Sequence, residues 1–132
     1  MLIVDASCLV QVLLAGPASP AIRDRWAVDP DLAAPHILDV EVSGVIRRDH
    51  RRGLLDRTAA GQAIADLAAW PGERFGHRPL LGRAWELRDT VGGWDAMYVA
   101  LAEALGAVLV TTDRRLAAAT GPTCAIEVMG PA

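Results

Sequence analysis

The chain has 132 residues, a length at which one domain, residues 1–132, can bury a core without disulfide bonds. All 13 basic residues are Arg and the net charge is −3, which excludes mechanisms that need a Lys and binding of nucleic acid by bulk positive charge. The two cysteines, Cys8 and Cys124, lack the CxxC and His spacing of zinc sites and are typical of a reducing cytoplasm.

The first half of the chain alternates short apolar runs with longer stretches of helical periodicity. Its predicted elements are a strand over 2–4, a helix over 7–14, a helix over 20–28, a short strand over 32–34 and a helix over 36–52. Gly16 and Pro17 end the first helix. Ser19 is the predicted N-cap of the second, because Pro20 suits a first helical position. Gly53 ends the third.

The second half continues this alternation. Its predicted elements are a helix capped by Asp56 that runs through 70, a weak strand over 73–76, helices over 79–89 and 94–105, a strand over 107–112, a short helix over 113–119 and a strand over 124–128. Strands separated by helices predict an α/β fold with a parallel sheet covered on both faces. The longest apolar stretch, 96–110, is broken by Glu103 and Gly106, so no membrane span is expected.

Two acidic residues directly follow predicted strands. Asp5 follows the strand over 2–4, which should lie near the sheet centre because it is wholly apolar, and Asp113 follows the strand over 107–112. In open α/β sheets the functional crevice lies beyond the carboxyl ends of the strands, so both carboxylates are candidates for a site there. The alternative for each is a loop residue or a helix cap, with Ser7 sharing the capping beside Asp5.

Two further acids lie among apolar residues on helices. At about 100° per residue, Glu41 falls inside the apolar arc of its helix, whereas Asp39 falls near the edge, which suits a solvated charge. Asp95 shares the inward face of its helix with Val99 and Ala102. The alternatives are a buried ion pair with an Arg for Glu41 and a favourable first-turn charge for Asp95.

Convergence of these four carboxylates would create a site for a hard divalent cation. Close carboxylates raise one another's pKa values unless a cation neutralises them, and oxygen-only ligands select Mg²⁺ or Mn²⁺ over zinc or copper. Such a site suits phosphodiester chemistry, because the metal orients a water, lowers the pKa of that water and stabilises charge on the phosphate oxygens. The residues therefore predict metal-dependent phosphoryl chemistry that uses no Lys or His nucleophile.

Four segments, taken in order, resemble the signatures of a known family. They are Asp5–Val10, Glu41–Arg48, Trp94–Glu103 and Thr111–Leu116. They resemble the PIN domain, specifically the VapC-type toxins of bacterial toxin–antitoxin modules, and the resemblance covers essentially the whole chain. It implies a three-layer α/β/α sandwich with a five-stranded parallel sheet and Mg²⁺-dependent endoribonuclease activity on RNA. It also implies inhibition by a cognate VapB-type antitoxin and assembly as a homodimer.

The resemblance assigns roles to individual residues. The family's acidic quartet, which is catalytic and binds metal, matches Asp5, Glu41, Asp95 and Asp113. Within it, Asp5 and Asp95 match the direct metal ligands. Ser7 and Thr112 match positions that support the site by hydrogen bonding. Trp94 stands where many relatives carry Tyr, so an aromatic residue is kept before the central acid.

Arg residues near the acids are the candidate contacts to RNA. Arg48 comes from a cluster of four Arg at the end of the helix over 36–52, and the alternative for this cluster is that it complements the helix dipole. Arg114 and Arg115 directly follow Asp113 and are the better candidates for phosphate contact. The three His and four Trp residues show no pattern of catalysis or base stacking, so surface, capping, core or interface positions are expected.

Other functions remain open from the residues alone. A receiver-type phosphoacceptor domain would require a Lys near the acids, and a haloacid-dehalogenase-like phosphatase would require an Asp where Ser7 stands, so neither is favoured. A PIN-fold RNA-processing nuclease outside a toxin–antitoxin pair is one alternative. A non-catalytic module that binds RNA or protein is another, although a binder of polyanions has no use for a concentrated negative pocket.

Overall fold

The computed structural model describes residues 1–131, which contain five strands and seven α-helices joined by loops. The strands are β1 (Leu2–Val4), β2 (Leu32–Pro35), β3 (Glu73–Phe75), β4 (Val108–Thr111) and β5 (Ile126–Val128). The helices are α1 (Ala6–Leu13), α2 (Ser19–Val28), α3 (Ile37–Arg51), α4 (Arg57–Ala69), α5 (Leu81–Glu86), α6 (Asp95–Leu105) and α7 (Arg114–Ala118). Within these residues no helix has the length and apolarity that crossing a membrane requires.

The sheet is parallel throughout, with the strand order β3-β2-β1-β4-β5. From β1 the chain adds β2 and β3 toward one edge of the sheet, and it then crosses over to add β4 and β5 toward the opposite edge. The order reverses between β1 and β4, and open α/β sheets place a crevice at such a reversal. The predicted parallel α/β fold, with β1 at the centre, is confirmed.

Helices cover both faces of this sheet. Successive side chains of a strand point to opposite faces, and Leu2, Ile3 and Val4 are all fully buried, so both faces of β1 are covered. Helix α6 packs across β1, β2 and β4, while α1 contacts β4 and α3 contacts β2. The three-layer α/β/α arrangement with five parallel strands is thereby confirmed over residues 1–131.

The observed element boundaries differ from the predicted ones mainly in two places. Ser19 is not the N-cap of α2, because it is the first helical residue and Ala18 takes the cap position without a side-chain bond. The helix predicted over 79–89 is shorter, since Arg78–Leu80 forms a 3₁₀ turn and α5 ends at Glu86. Neither difference moves a candidate site residue.

Two helix ends follow local rules that the sequence predicts. Asp56 caps α4, because its carboxylate accepts a hydrogen bond of 2.7 Å from the Ala59 amide. Gly106 ends α6 in the left-handed conformation, with φ 60°, which glycine adopts without a steric penalty. Since β4 begins at Val108, the turn at Gly106 directs β4 into the sheet and brings Asp113 to its carboxyl end.

Replacing Gly106 with Ala should lower the free energy of unfolding by about 1 kcal/mol, because an L-residue is strained at this positive φ. Gly61→Ala is the matched control. Gly61 lies in the interior of α4, and a Cβ at either glycine would meet no atom within 4 Å, so Ala at 61 should instead stabilise by about 0.5 kcal/mol or more. Urea denaturation measures both changes, and equal effects would contradict the role given to the turn.

Candidate active site

Asp5 is held at the carboxyl end of β1 by two hydroxyl groups. Its backbone amide extends the β1–β4 pairing by donating to the Val110 carbonyl at 3.0 Å. One carboxylate oxygen, Oδ2, accepts hydrogen bonds of 2.7 Å from both Ser7 Oγ and Thr111 Oγ1. The residue is 5% exposed, and its side chain makes no cap bond to α1. The alternative of a helix cap therefore holds for position only, because Asp5 is the N-cap residue of α1 while its carboxylate bonds Ser7 and Thr111 instead.

The same hydroxyls also hold the end of β4. Thr111 Oγ1 accepts a hydrogen bond from the Asp113 amide at 3.1 Å, and Ser7 Oγ accepts one from the Thr112 amide at 3.1 Å. Thr112 thus supports the site through its backbone, whereas the hydroxyl that bonds Asp5 belongs to Thr111, which sequence reasoning missed. A Thr that ends an apolar strand was the available signal, because its buried hydroxyl requires a partner.

Glu41 extends from α3 to a buried tyrosine on α6. Its Oε1 accepts a hydrogen bond of 2.8 Å from the Tyr98 hydroxyl, and Tyr98 is fully buried. No ion pair joins Glu41 to any residue of 1–131, so the alternative of a buried pair with an Arg is wrong. Tyr98, which sequence reasoning missed, follows Asp95 by three positions and so shares its helix face. Asp39 lies apart in an ion pair of 2.9 Å with Arg74, rather than simply solvated.

The pKa values of three of these acids are raised. Burial is the first cause for each, and the negative charge of neighbouring acids adds to it. The pKa of Asp95 rises to about 6 through burial and through the charges of Asp5 and Asp113. The pKa of Glu41 is raised by burial and by the charges of Asp5 and Asp95. The acids therefore belong to one electrostatic cluster. Burial raises their pKa values more than the predicted mutual repulsion does.

Asp113 lies at the edge of this cluster and also caps a short helix. Its Oδ1 accepts a hydrogen bond of 2.8 Å from the Arg115 amide in α7, and 40% of its side chain is exposed. The cap proposed as the alternative for this residue is present, together with its charge interactions with Asp5 and Asp95. The Arg115 side chain is 97% exposed and lies 4.0 Å from the Asp113 carboxylate.

The clustered carboxylates offer only oxygen donors to a cation. Asp5, Glu41 and Asp95 form no ion pair in the described part of the chain, so no basic side chain there neutralises them by direct contact. As placed, no three His, Cys, Asp or Glu side chains within residues 1–131 are grouped closely enough to hold a metal ion. The donor chemistry fits Mg²⁺ or Mn²⁺, and Glu41 and Asp95 are only half-buried, so both carboxylates remain accessible from solvent.

A cavity of about 480 Å³ opens beside the acids. Its walls include Ser7, Glu41, Arg48, Trp94 and Thr112. Arg48 is therefore the member of the α3 arginine cluster that reaches the site. It lies half in solvent, where it also bonds Asp49 at 3.3 Å.

A second cavity, of about 610 Å³, adjoins the first through the shared wall residues Gln11 and Thr112. It is lined by Arg114 but by none of the four acids. Arg115 lines neither cavity. Two of the three predicted RNA-contacting Arg residues thus lie on adjoining cavities, and the third is exposed beside Asp113.

The His and Trp residues serve mainly structural roles, with one exception. His77 Nε2 accepts a hydrogen bond of 3.0 Å from the Ile37 amide and so caps α3 across 40 positions of sequence. The rings of Trp26 and Trp70 pack with their centroids 6.1 Å apart. Trp94 is different, because it is 62% exposed and forms part of the wall of the cavity beside the acids.

Known proteins share this fold and sequence pattern. The PIN domain family model matches residues 2–122. The chain belongs to the PIN domain family. Ribonuclease VapC1 of Mycobacterium tuberculosis is 42% identical over 132 residues, which cover 96% of each chain. Ribonuclease VapC12 of the same organism is 36% identical over 129 residues, covering 98% of this chain and 99% of its own.

Solved structures extend the comparison. PAE2754 from Pyrobaculum aerophilum superposes with a TM-score of 0.69 at 28% identity, covering 96% of this chain and 83% of its own. VapBC2 from Rickettsia felis, bound to a DNA fragment from their promoter, gives a TM-score of 0.71 at 15% identity over 98% of each chain. At that identity the second comparison shows the fold alone. The predicted PIN-like fold is confirmed.

Without metal, Asp95→Asn should stabilise the protein in a pH-dependent way. The pKa of Asp95 is about 6 in the folded state against 3.8 ordinarily, so its favourable contribution is complete below 3.8 and is lost as pH rises through 6. The uncharged Asn avoids this loss, and Tm should rise by about 3 °C at pH 7.5 and hardly at pH 4. Scanning calorimetry in EDTA measures the shift.

The matched control is Asp66→Asn, an exposed position on α4 where the carboxylate bonds Gln62. Its Tm should change little at either pH. A gain for Asp95→Asn that is the same at both pH values would contradict the raised pKa of Asp95.

Proposed function

We propose that this chain is the toxin component of a type II toxin–antitoxin module, an endoribonuclease that hydrolyses RNA phosphodiester bonds with Mg²⁺ or Mn²⁺. The acidic cluster at the β1–β4 reversal carries the proposal. Three of its carboxylates, Asp5, Glu41 and Asp95, have raised pKa values and no ion-pair partner within residues 1–131, which is the electrostatic state that a divalent cation relieves. Similarity to relatives named as VapC ribonucleases supports RNA as the substrate class.

In this proposal Asp5 and Asp95 are the direct metal ligands, and Glu41 and Asp113 complete the acidic set. Bound there, the cation supplies a water of lowered pKa and stabilises negative charge on the phosphate oxygens. The hydrogen bonds from Ser7 and from Thr111 fix Oδ2 of Asp5, so this carboxylate is oriented before metal or substrate arrives.

Tyr98 positions Glu41 for a role in proton transfer. Burial and the charge of Glu41 raise the pKa of Tyr98, so its hydroxyl stays protonated and donates to Glu41 Oε1. The raised pKa of Glu41 makes it a better proton acceptor near neutral pH. We assign Oε2, the oxygen that Tyr98 does not bond, as the acceptor of a proton from the attacking water.

The basic residues beside the acids provide the local positive patch that a chain of net charge −3 requires for RNA. Arg48 and Arg114 line the two adjoining cavities and are proposed to contact phosphates on either side of the scissile bond. Arg115, exposed beside Asp113, is proposed as a further contact at the rim.

The proposal includes partners. A VapB-type antitoxin neutralises the nuclease, and the toxin acts in the cytoplasm as a homodimer. Similarity to relatives named VapC, together with the fold shared with one chain of the VapBC2 structure, supports a partner of this class. These partner assignments depend on the nuclease activity of the chain.

Asp5→Asn should lower the rate of RNA cleavage by about 100-fold or more, because it removes one metal-binding charge while keeping an oxygen that Ser7 and Thr111 can bond. EDTA should abolish cleavage by the parent chain, and Mg²⁺ or Mn²⁺ in excess should restore it. Cleavage of total RNA, followed on denaturing gels, gives the rates.

The control variant is Asp66→Asn, which makes the same chemical change on the exposed surface of α4. It should cleave at the parent rate, and circular dichroism should show that both variants keep the fold. Parent-level cleavage by Asp5→Asn, or activity that persists in excess EDTA, would rule out the proposed metal site.

A further inference from the structure

Trp94 is the exposed aromatic residue of the cavity beside the acids. It is the N-cap of α6, so it directly precedes Asp95, and 62% of its surface is exposed. It forms a cavity wall together with Glu41 and Arg48. The cavity thus combines a carboxylate of the acidic cluster, a guanidinium and a large aromatic ring.

The other tryptophans have partners that account for their positions. Trp26 and Trp70 pack against each other. Trp85 is 68% exposed, but the Arg88 guanidinium lies over its ring at 4.5 Å from the centroid. Within residues 1–131, no aromatic ring or guanidinium stacks on Trp94. Its ring face therefore remains available to a flat ligand.

We infer that the Trp94 indole is the platform on which one unpaired RNA base stacks beside the scissile phosphate. This rests on the proposed nuclease function and names the form of RNA that the site takes. Base stacking on an aromatic side chain is tolerant of base identity and is available to bases that have left a duplex. The site accordingly takes a single-stranded segment, such as a loop, rather than an intact helix.

The neighbours of Trp94 determine what stacking does. Because Asp95 is the next residue, the stacked base belongs to a nucleotide next to the phosphate at which the water attacks. Arg48, on the same cavity, is placed to contact the backbone phosphate of that segment. Trp94 in this way selects RNA with an unpaired base, whatever that base is, and Arg48 is a contact that does not depend on the bases.

A comparison of two RNA probes separates stacking from charge. The first is a fluorescein-labelled octamer of riboadenosine, and the second is an octamer of abasic ribose phosphate, which keeps the backbone charge and lacks every base. Binding is measured by fluorescence anisotropy with Mg²⁺ present, in chains that all carry Asp5→Asn so that the probes stay intact.

Trp94→Ala should weaken binding of the adenosine octamer about tenfold and leave binding of the abasic octamer unchanged. Trp94→Phe keeps an aromatic face and should restore most of the loss. Arg48→Ala should weaken binding of both probes by the same factor. Trp85→Ala, which removes an equally exposed indole outside the cavity, should change neither.

Binding of the adenosine octamer that Trp94→Ala leaves unchanged would overturn the inference. Equal loss for both probes, or no measurable binding of the adenosine octamer by the chain that retains Trp94, would overturn it as well. Failure of the nuclease proposal is a separate result, seen as absence of cleavage by the parent chain in Mg²⁺. A chain that stacks RNA on Trp94 without cutting it would refute only that proposal.

Discussion

The two hydroxyl bonds to one oxygen of Asp5 are the constraint on which the site depends. Ser7 reaches Asp5 from the first turn of α1, and Thr111 reaches it from the end of β4. The same hydroxyls accept hydrogen bonds from the backbone amides of Thr112 and Asp113, so the carboxyl ends of β1 and β4 form one hydrogen-bonded unit. This unit lies where the strand order reverses, and it orients the most deeply buried acid before any ligand is present.

Around this unit the fold holds negative charges in an environment that disfavours them. Burial and mutual repulsion raise the pKa values of Asp5, Glu41 and Asp95, and no basic side chain of residues 1–131 forms an ion pair with them. Such an arrangement lowers the free energy of unfolding of the metal-free protein. A divalent cation bound there would instead raise it, because its charge neutralises the carboxylates. In the proposed function, catalysis and local instability have the same physical origin, as is common where a site is built from like charges.

Sequence predicts those parts of the site that depend on local geometry. The position of Asp5 directly after a buried strand predicts that it belongs to the site, and the angle of Glu41 on α3 predicts that its side chain points inward. The hydroxyl of Tyr98 and the imidazole of His77 could not be predicted, because each bonds a residue at least 40 positions away, and only the completed packing brings these partners together. The position of Trp94 on a cavity could not be predicted either, because that cavity forms only when α1, α3 and the start of α6 pack together. The parallel sheet was predictable because alternation of strands and helices leaves few other topologies.

The central claim is that these carboxylates gather around a divalent cation, and anomalous diffraction from crystals soaked in Mn²⁺ tests it most directly. We expect a manganese peak with oxygen atoms of Asp5 and Asp95 at roughly 2.1 Å, a distance typical of hard cations of this size. Glu41 and Asp113 should lie close to the peak, directly or through water. A peak elsewhere on the protein, or none at saturating Mn²⁺ with these carboxylates turned away from one another, would contradict the account.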